Sequence, residues 1–149
     1  MTRAIVQEIA PMKIHVKGVP EEGLEEHASY DPTTMDMDRE DIHLREPFEV
    51  DAAISKVDSE LVVRADIRCP IHLMCGRCLE EFTTTLTTDA IFSYHVKPVD
   101  VVDITEDVRQ EILLTYPMIP VCRPDCKGLC SRCGQNLNLG SCSHQATAD

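Results

Sequence analysis

The chain has no tryptophan, and aromatic residues make up only 4% of it. A core built from it must rest on aliphatic side chains. Bases are also scarce: 14 Lys and Arg stand against 26 Asp and Glu, for a net charge of −12 at pH 7. No apolar run approaches membrane-spanning length. The opening residues, Met-Thr-Arg-Ala-Ile-Val-Gln-Glu, lack the apolar stretch of a secretion signal. These absences predict a soluble, cytoplasmic protein without a membrane partner. No Ser/His/Asp set, Gly-rich phosphate loop or paired-carboxylate cleft is visible, so neither catalysis nor a small-molecule substrate is expected. At 149 residues the chain suits one domain with a short appendage.

What is present in quantity is cysteine. Cys75-Gly-Arg-Cys78 sits mid-chain, and Cys122, Cys126, Cys130, Cys133, Cys142 and His144 follow near the end. In a reducing compartment, eight cysteines argue for metal over disulfides. Two C-x-x-C pairs separated by a long span have metal-ligand spacing, and thiolate with imidazole suits tetrahedral zinc. A redox C-x-x-C would open a helix in a βαβ unit, whereas this motif lies between two predicted strands. Cys130-Ser-Arg-Cys133-Gly134 has the form of a zinc knuckle, with Gly134 free to turn left-handed. The expectation is two Zn2+ per chain. Local spacing leaves the partition open: Cys122, Cys126, Cys130 and Cys133 can form one site, or early and late pairs can mix. Cys130, Cys133, Cys142 and His144 make a self-contained tail unit, which leaves Cys75, Cys78, Cys122 and Cys126 together. Cys69 has no partner at motif spacing and reads as a small buried apolar residue. His15, His27, His43, His72 and His95 lie apart from ligand spacing.

The rest of the chain reads as α+β, mostly antiparallel β with one packed amphipathic helix and a C-terminal zinc knuckle. Met12–Val16 alternates as a strand. Residues 18–46 lose periodicity and read as a long acidic loop, with at most a helical turn at 23–27. Phe48, Val50, Ala52 and Ile54, then Leu61, Val63, Ala65 and Ile67, predict a hairpin joined by residues 56–60. Phe82 through Val96 predicts a long strand, rich in Thr. Asp103-Ile-Thr-Glu106 predicts a capping box before a helix whose Val108, Ile112 and Tyr116 face the sheet. Pro117 and Pro120 end that helix. The division expected is 1–121 as the β-rich domain and 122–149 as the zinc-binding segment. Charge is uneven across it: residues 18–60 carry 14 acids against Arg39, Arg45 and Lys56, a net of −11. A field of that sign attracts basic proteins and repels nucleic acid.

Cys75-Gly-Arg-Cys-Leu79, Asp107-Val-Arg-Gln-Glu-Ile-Leu-Leu114, Pro117-Met-Ile-Pro120 and Cys126-Lys-Gly-Leu-Cys-Ser-Arg-Cys-Gly-Gln-Asn-Leu-Asn138 together resemble the YceD family of large-subunit ribosomal RNA accumulation proteins. The resemblance implies a role in accumulation of large-subunit rRNA. It also implies a gene beside that of a small zinc-bearing ribosomal protein. Members without the tail knuckle keep the first C-x-x-C and a metal-capable pair matching Cys122 and Cys126, which favours the split that pairs those four. The family more usually ends the knuckle Cys-x-Cys where this chain has Cys142-Ser-His144, so a change of ligand type at His144 is implied.

Three functional classes follow. The first is a non-enzymatic ribosome-assembly factor with structural zinc, whose partner is a basic ribosomal protein or a large-subunit assembly intermediate. The second is a zinc-ribbon module contacting rRNA directly through Arg123, Lys127 and Arg132. The third is a thiol redox sensor that ejects zinc on oxidation.

Overall fold

The computed structural model describes residues 12–140 and Cys142. Seven strands and one α-helix follow in order: β1 (Lys13–His15), β2 (Leu24–Tyr30), β3 (Ile42–His43), β4 (Phe48–Val57), β5 (Glu60–Met74), β6 (Glu81–His95), β7 (Val101–Asp103) and α1 (Thr105–Thr115). All strand pairs are antiparallel. The main sheet runs β2-β4-β5, and β5 also pairs with β3 and β6. The second sheet is the ribbon β1-β7. The α+β class read from the sequence therefore holds.

The organising element is the β5–β6 hairpin, paired without interruption from Glu60↔His95 to Met74↔Glu81. Odd residues of β5 from Leu61 to Leu73 are buried and even ones face outward or are partly covered. Even residues of β4 from Phe48 to Ile54 are buried with them. The parity change is absorbed by a two-residue turn, Asp58-Ser59, which lets Val57 pair with Glu60. Asp58 takes a left-handed φ of 54° there, a conformation aspartate tolerates better than most residues. The connection is thus shorter than the five residues expected, because both strands continue past their apolar alternation.

The aperiodic acidic loop expected over 18–46 is corrected by the structure. Leu24–Tyr30 is an edge strand in full register with β4, from Leu24↔Ile54 to Tyr30↔Phe48. Exposed Glu26 interrupts the inward alternation of Leu24, Ala28 and Tyr30, so the period-2 signal was broken at its centre. Beyond it, Pro32, Met37, Ile42 and Leu44 are buried. Arg109 of α1 holds this stretch through hydrogen bonds to the carbonyls of Met35 at 2.7 Å and Asp36 at 3.0 Å. Tyr116 donates to the Met37 carbonyl at 2.9 Å. The acids remain outside while the chain beneath them is packed.

α1 buries Val108 and Ile112, as its spacing predicts, and the Tyr94 hydroxyl donates to the Asp107 carboxylate beside it. The capping box is corrected. The N-cap is Ile104, with no side-chain cap. Asp103 lies one residue earlier and accepts from the Thr105 amide at 2.9 Å, while Glu106 bonds Arg109 and Gln110 within the helix. Among the described residues no helix is long and apolar enough to cross a membrane.

Candidate metal centre

β5 and β6 meet at residues 75–80, so Cys75 and Cys78 are part of a hairpin turn. The turn closes with the Cys75 amide donating to Glu80 O at 2.9 Å and the Leu79 amide donating to Cys75 O at 2.9 Å. The tail repeats it: Cys130 N donates to Gln135 O at 2.8 Å and Gly134 N to Cys130 O at 2.9 Å. Both turns need a left-handed residue just after the second cysteine. Gly134 supplies it at φ 76°, as expected from the sequence, and Leu79 supplies it at φ 62°.

After α1 the chain returns to the first turn. Gly76 N donates to Pro120 O at 2.7 Å, and a Cβ on Gly76 would lie 2.6 Å from Ile119 Cγ2. Gly76 thus serves close approach, whereas the turn's left-handed residue is Leu79. This contact delivers Cys122 and Cys126 beside Cys75 and Cys78. The four thiols form one group, buried except for partly exposed Cys122 and packed against Phe82, Val121 and Leu129.

Sulfur spacing tests the fit to a metal. Cys75 Sγ and Cys126 Sγ are 3.7 Å apart, and Cys78 Sγ and Cys122 Sγ are 3.8 Å apart. A disulfide requires ~2.05 Å. Four sulfurs at ~2.3 Å from a tetrahedral zinc stand ~3.8 Å from one another. Thiolates must also be accessible chemically. Burial, the largest single influence, pushes the Cys75 thiol up, but N–H groups of Cys78, Cys122 and Arg77 outweigh it and bring it to about 6. The Asn138 side-chain amide is the first cause of a lowered Cys126. Cys122 goes the other way, pushed up to about 12 by burial. An ion shared by the group would draw its proton off.

Cys130, Cys133 and Cys142 make the second group, with their sulfurs within 4.8 Å of one another. Amides of Cys133 and Arg132 bring Cys130 down to about 6. His144, the fourth ligand expected, lies outside the described residues. Both groups could hold a metal ion, and the four-plus-tail partition matches how the described sulfurs assemble.

The remaining thiol and histidines are elsewhere. Cys69 is buried in the main core, where burial pushes it up to about 12. His72 is on β5 and meets the Glu46 carboxylate at 2.8 Å; His27 meets Asp51 at 2.6 Å and His43 meets Asp38 at 3.1 Å. Arg123, Lys127 and Arg132 are exposed, and Arg123 faces Asp125 at 3.5 Å. Two residues of the centre escaped sequence reasoning. Leu79 could have been found by aligning its turn with the Cys130–Gly134 turn. Asn138 has no local signal, because its partner lies twelve residues back.

Comparison with known proteins adds a family to this geometry. The family model described as Large ribosomal RNA subunit accumulation protein YceD matches residues 91–149. The span takes in α1, the Pro117–Pro120 segment and every cysteine from Cys122 onward. An uncharacterised protein of Mycobacterium leprae is 29% identical over 61% of this chain and 49% of its own length. An uncharacterised protein of Mycobacterium tuberculosis is 31% identical over 60% of this chain and 51% of its own. The Large ribosomal RNA subunit accumulation protein YCED homolog 1, chloroplastic, of Zea mays is 48% identical over 27% of this chain and 14% of its own. The chain spans about half the length of the mycobacterial relatives it matches. No solved structure matches.

Proposed function

We propose, from the premise that residues 91–149 are of the YceD family, that this protein is a non-enzymatic, cytoplasmic factor in large-subunit rRNA accumulation. It acts by binding a basic ribosomal protein, and its two cysteine groups hold zinc. The zinc is structural: four protein ligands leave no position for water or substrate. The four-thiol group would use Cys75, Cys78, Cys122 and Cys126; the tail group would use Cys130, Cys133, Cys142 and His144. When bound, each ion supplies a crosslink and nothing reactive. The chain's own residues keep the first group dry and in register.

The observation that carries the choice of partner is the outer face of the main sheet. Asp51, Asp66 and Asp89 stand directly opposite one another across β4, β5 and β6. Like charges in register destabilise a sheet. Glu49 lies two residues from Asp51 on the same strand, and Glu25 and Glu26 line one surface depression with Asp51 and Asp66. Arg64 and Arg68 relieve it only in part; Arg68 reaches Asp51 at 3.1 Å. A cationic protein docking here relieves the repulsion, and polyanionic rRNA would add to it.

Metal analysis of protein purified without added zinc is expected to return two zinc ions per chain; one ion, or iron with visible absorbance, sinks the assignment. For the partner, Glu21, Glu22, Glu25 and Glu26→Gln is expected to slow association with basic ribosomal proteins, and raised salt to weaken it. Tight binding to rRNA fragments that strengthens when these acids are removed, and fails with Arg132→Ala, would establish direct rRNA contact instead.

A further inference from the structure

The two cysteine groups are four residues apart at their nearest, Cys126 and Cys130, and one short ribbon joins them. Leu129 bridges Asn136, and Leu137 N donates to Gly128 O at 2.9 Å. The ribbon lies on the first centre: Leu129 N donates to Arg77 O at 3.1 Å, and a Cβ on Gly128, at φ 77°, would stand 3.1 Å from Arg77 O. Its far side belongs to the second centre, since residues 134–140 run from Cys133 toward Cys142.

In the turn just after Asn136 sits Asn138. Its Oδ1 accepts from the Lys127 amide at 2.8 Å, and its Nδ2 donates to Cys126 Sγ at 3.3 Å. The orientation is unambiguous in chemistry: a backbone N–H only donates, so Oδ1 must face it, leaving the NH2 for the sulfur. A tetrathiolate site on a divalent ion carries excess negative charge, and each N–H aimed at a sulfur disperses it. Cys75 receives such donors from its own turn and from Cys122. Cys126 receives its side-chain donor from a segment that the second centre folds.

We infer that Asn138 is a positioning residue that couples the two centres: closing the tail site sets its amide on the Cys126 sulfur and thereby tightens the four-cysteine site. The tail knuckle is then a clamp on the first centre as well as a centre of its own. The inference rests on the zinc reading above, and the experiment separates the two.

The full chain is loaded with zinc alone and its release to excess chromophoric chelator is followed, while alkylation of Cys126 is quantified by peptide mass. Wild-type metal content is read first; fewer than two ions per chain overturns the zinc reading and this inference with it. With two ions bound, Asn138→Ala is expected to speed release from the first centre about tenfold and to expose Cys126 to alkylation, with second-centre release unchanged. Asn138→Asp keeps the acceptor for Lys127 but has no N–H for sulfur, and is expected to do the same; it carries the test if the alanine variant disrupts the ribbon. Cys133→Ser is expected to speed first-centre release to a similar degree, and adding Asn138→Ala to it to change nothing further. First-centre release and Cys126 alkylation that stay at wild-type rates in Cys133→Ser overturn the coupling, as does a double variant whose effects multiply.

Discussion

Leu79 holds a left-handed φ of 62° with its side chain 56% exposed. A branched residue loses ~1–2 kcal/mol in that region, and little burial offsets the loss. Glycine fills the matching position of the tail turn, Gly134. Leu79→Gly is therefore expected to stabilise the protein by about 0.5–1 kcal/mol after the entropy of the freer unfolded chain is subtracted. A raised melting temperature checks it, and a lowered one contradicts it. Tyr30 shows the opposite case. Its hydroxyl accepts from the buried Met12 amide at 3.0 Å while its ring stacks on Phe48 at 5.3 Å. Tyr30→Phe keeps the stack and orphans the amide, so a loss of about 1–3 kcal/mol is expected in denaturant unfolding. A loss within error of zero would mean the Met12 amide finds another partner.

Among the elements, the β5–β6 hairpin depends most on the first centre. The tie from Cys75 to Cys122 closes a loop spanning β6, β7 and α1, and the Pro117–Pro120 segment is held by Arg39, which reaches Pro117 O at 2.9 Å. The tail ribbon contributes fewer buried side chains. Cys75→Ser is expected to lower the thermal midpoint more than Cys130→Ser, with hydrogen exchange through β6 and α1 rising more in the former. Equal losses would place the tail in the main core. The acidic stretch has its own restraint in α1. Removing the Arg109 guanidinium frees the carbonyls of Met35 and Asp36, so Arg109→Ala is expected to raise amide exchange across residues 33–44 and leave β4 and β5 protected.

At the scale of the whole molecule, the three tyrosines share one behaviour. Burial is the first cause that raises Tyr30, Tyr94 and Tyr116 above the ordinary value of 10.0, and the Asp107 carboxylate raises Tyr94 further. The folded state therefore holds phenolic protons more tightly than the unfolded state. That contribution is fully present below pH 10 and is lost as pH rises through the folded values. Absorbance at 295 nm is expected to show no tyrosine ionising near pH 10 while the fold is intact, with ionisation and loss of circular dichroism coinciding at higher pH. A reversible titration near 10 with unchanged dichroism would contradict it.

The sequence by itself determined the inward faces of β4, β5 and β6, the buried pair Val108 and Ile112, and the two C-x-x-C turns. These are local: period 2, period 3.6 and ligand spacing are properties of neighbours along the chain. It left β2 unread because an edge strand needs only one good face, and Glu26 broke that face in the middle. It put Asp103 one residue too far into the helix start, since a capping side chain can serve the second residue after it as readily as the third. Only the tertiary structure decided which cysteines meet. Sulfurs 44 and 51 residues apart come to within 3.8 and 3.7 Å because the hairpin turn and the post-helix segment dock through Gly76 and Pro120. It alone also set Asn138 on Cys126 and Asp51, Asp66 and Asp89 in one row, because strand register and ribbon folding are relations between distant segments that no local pattern records.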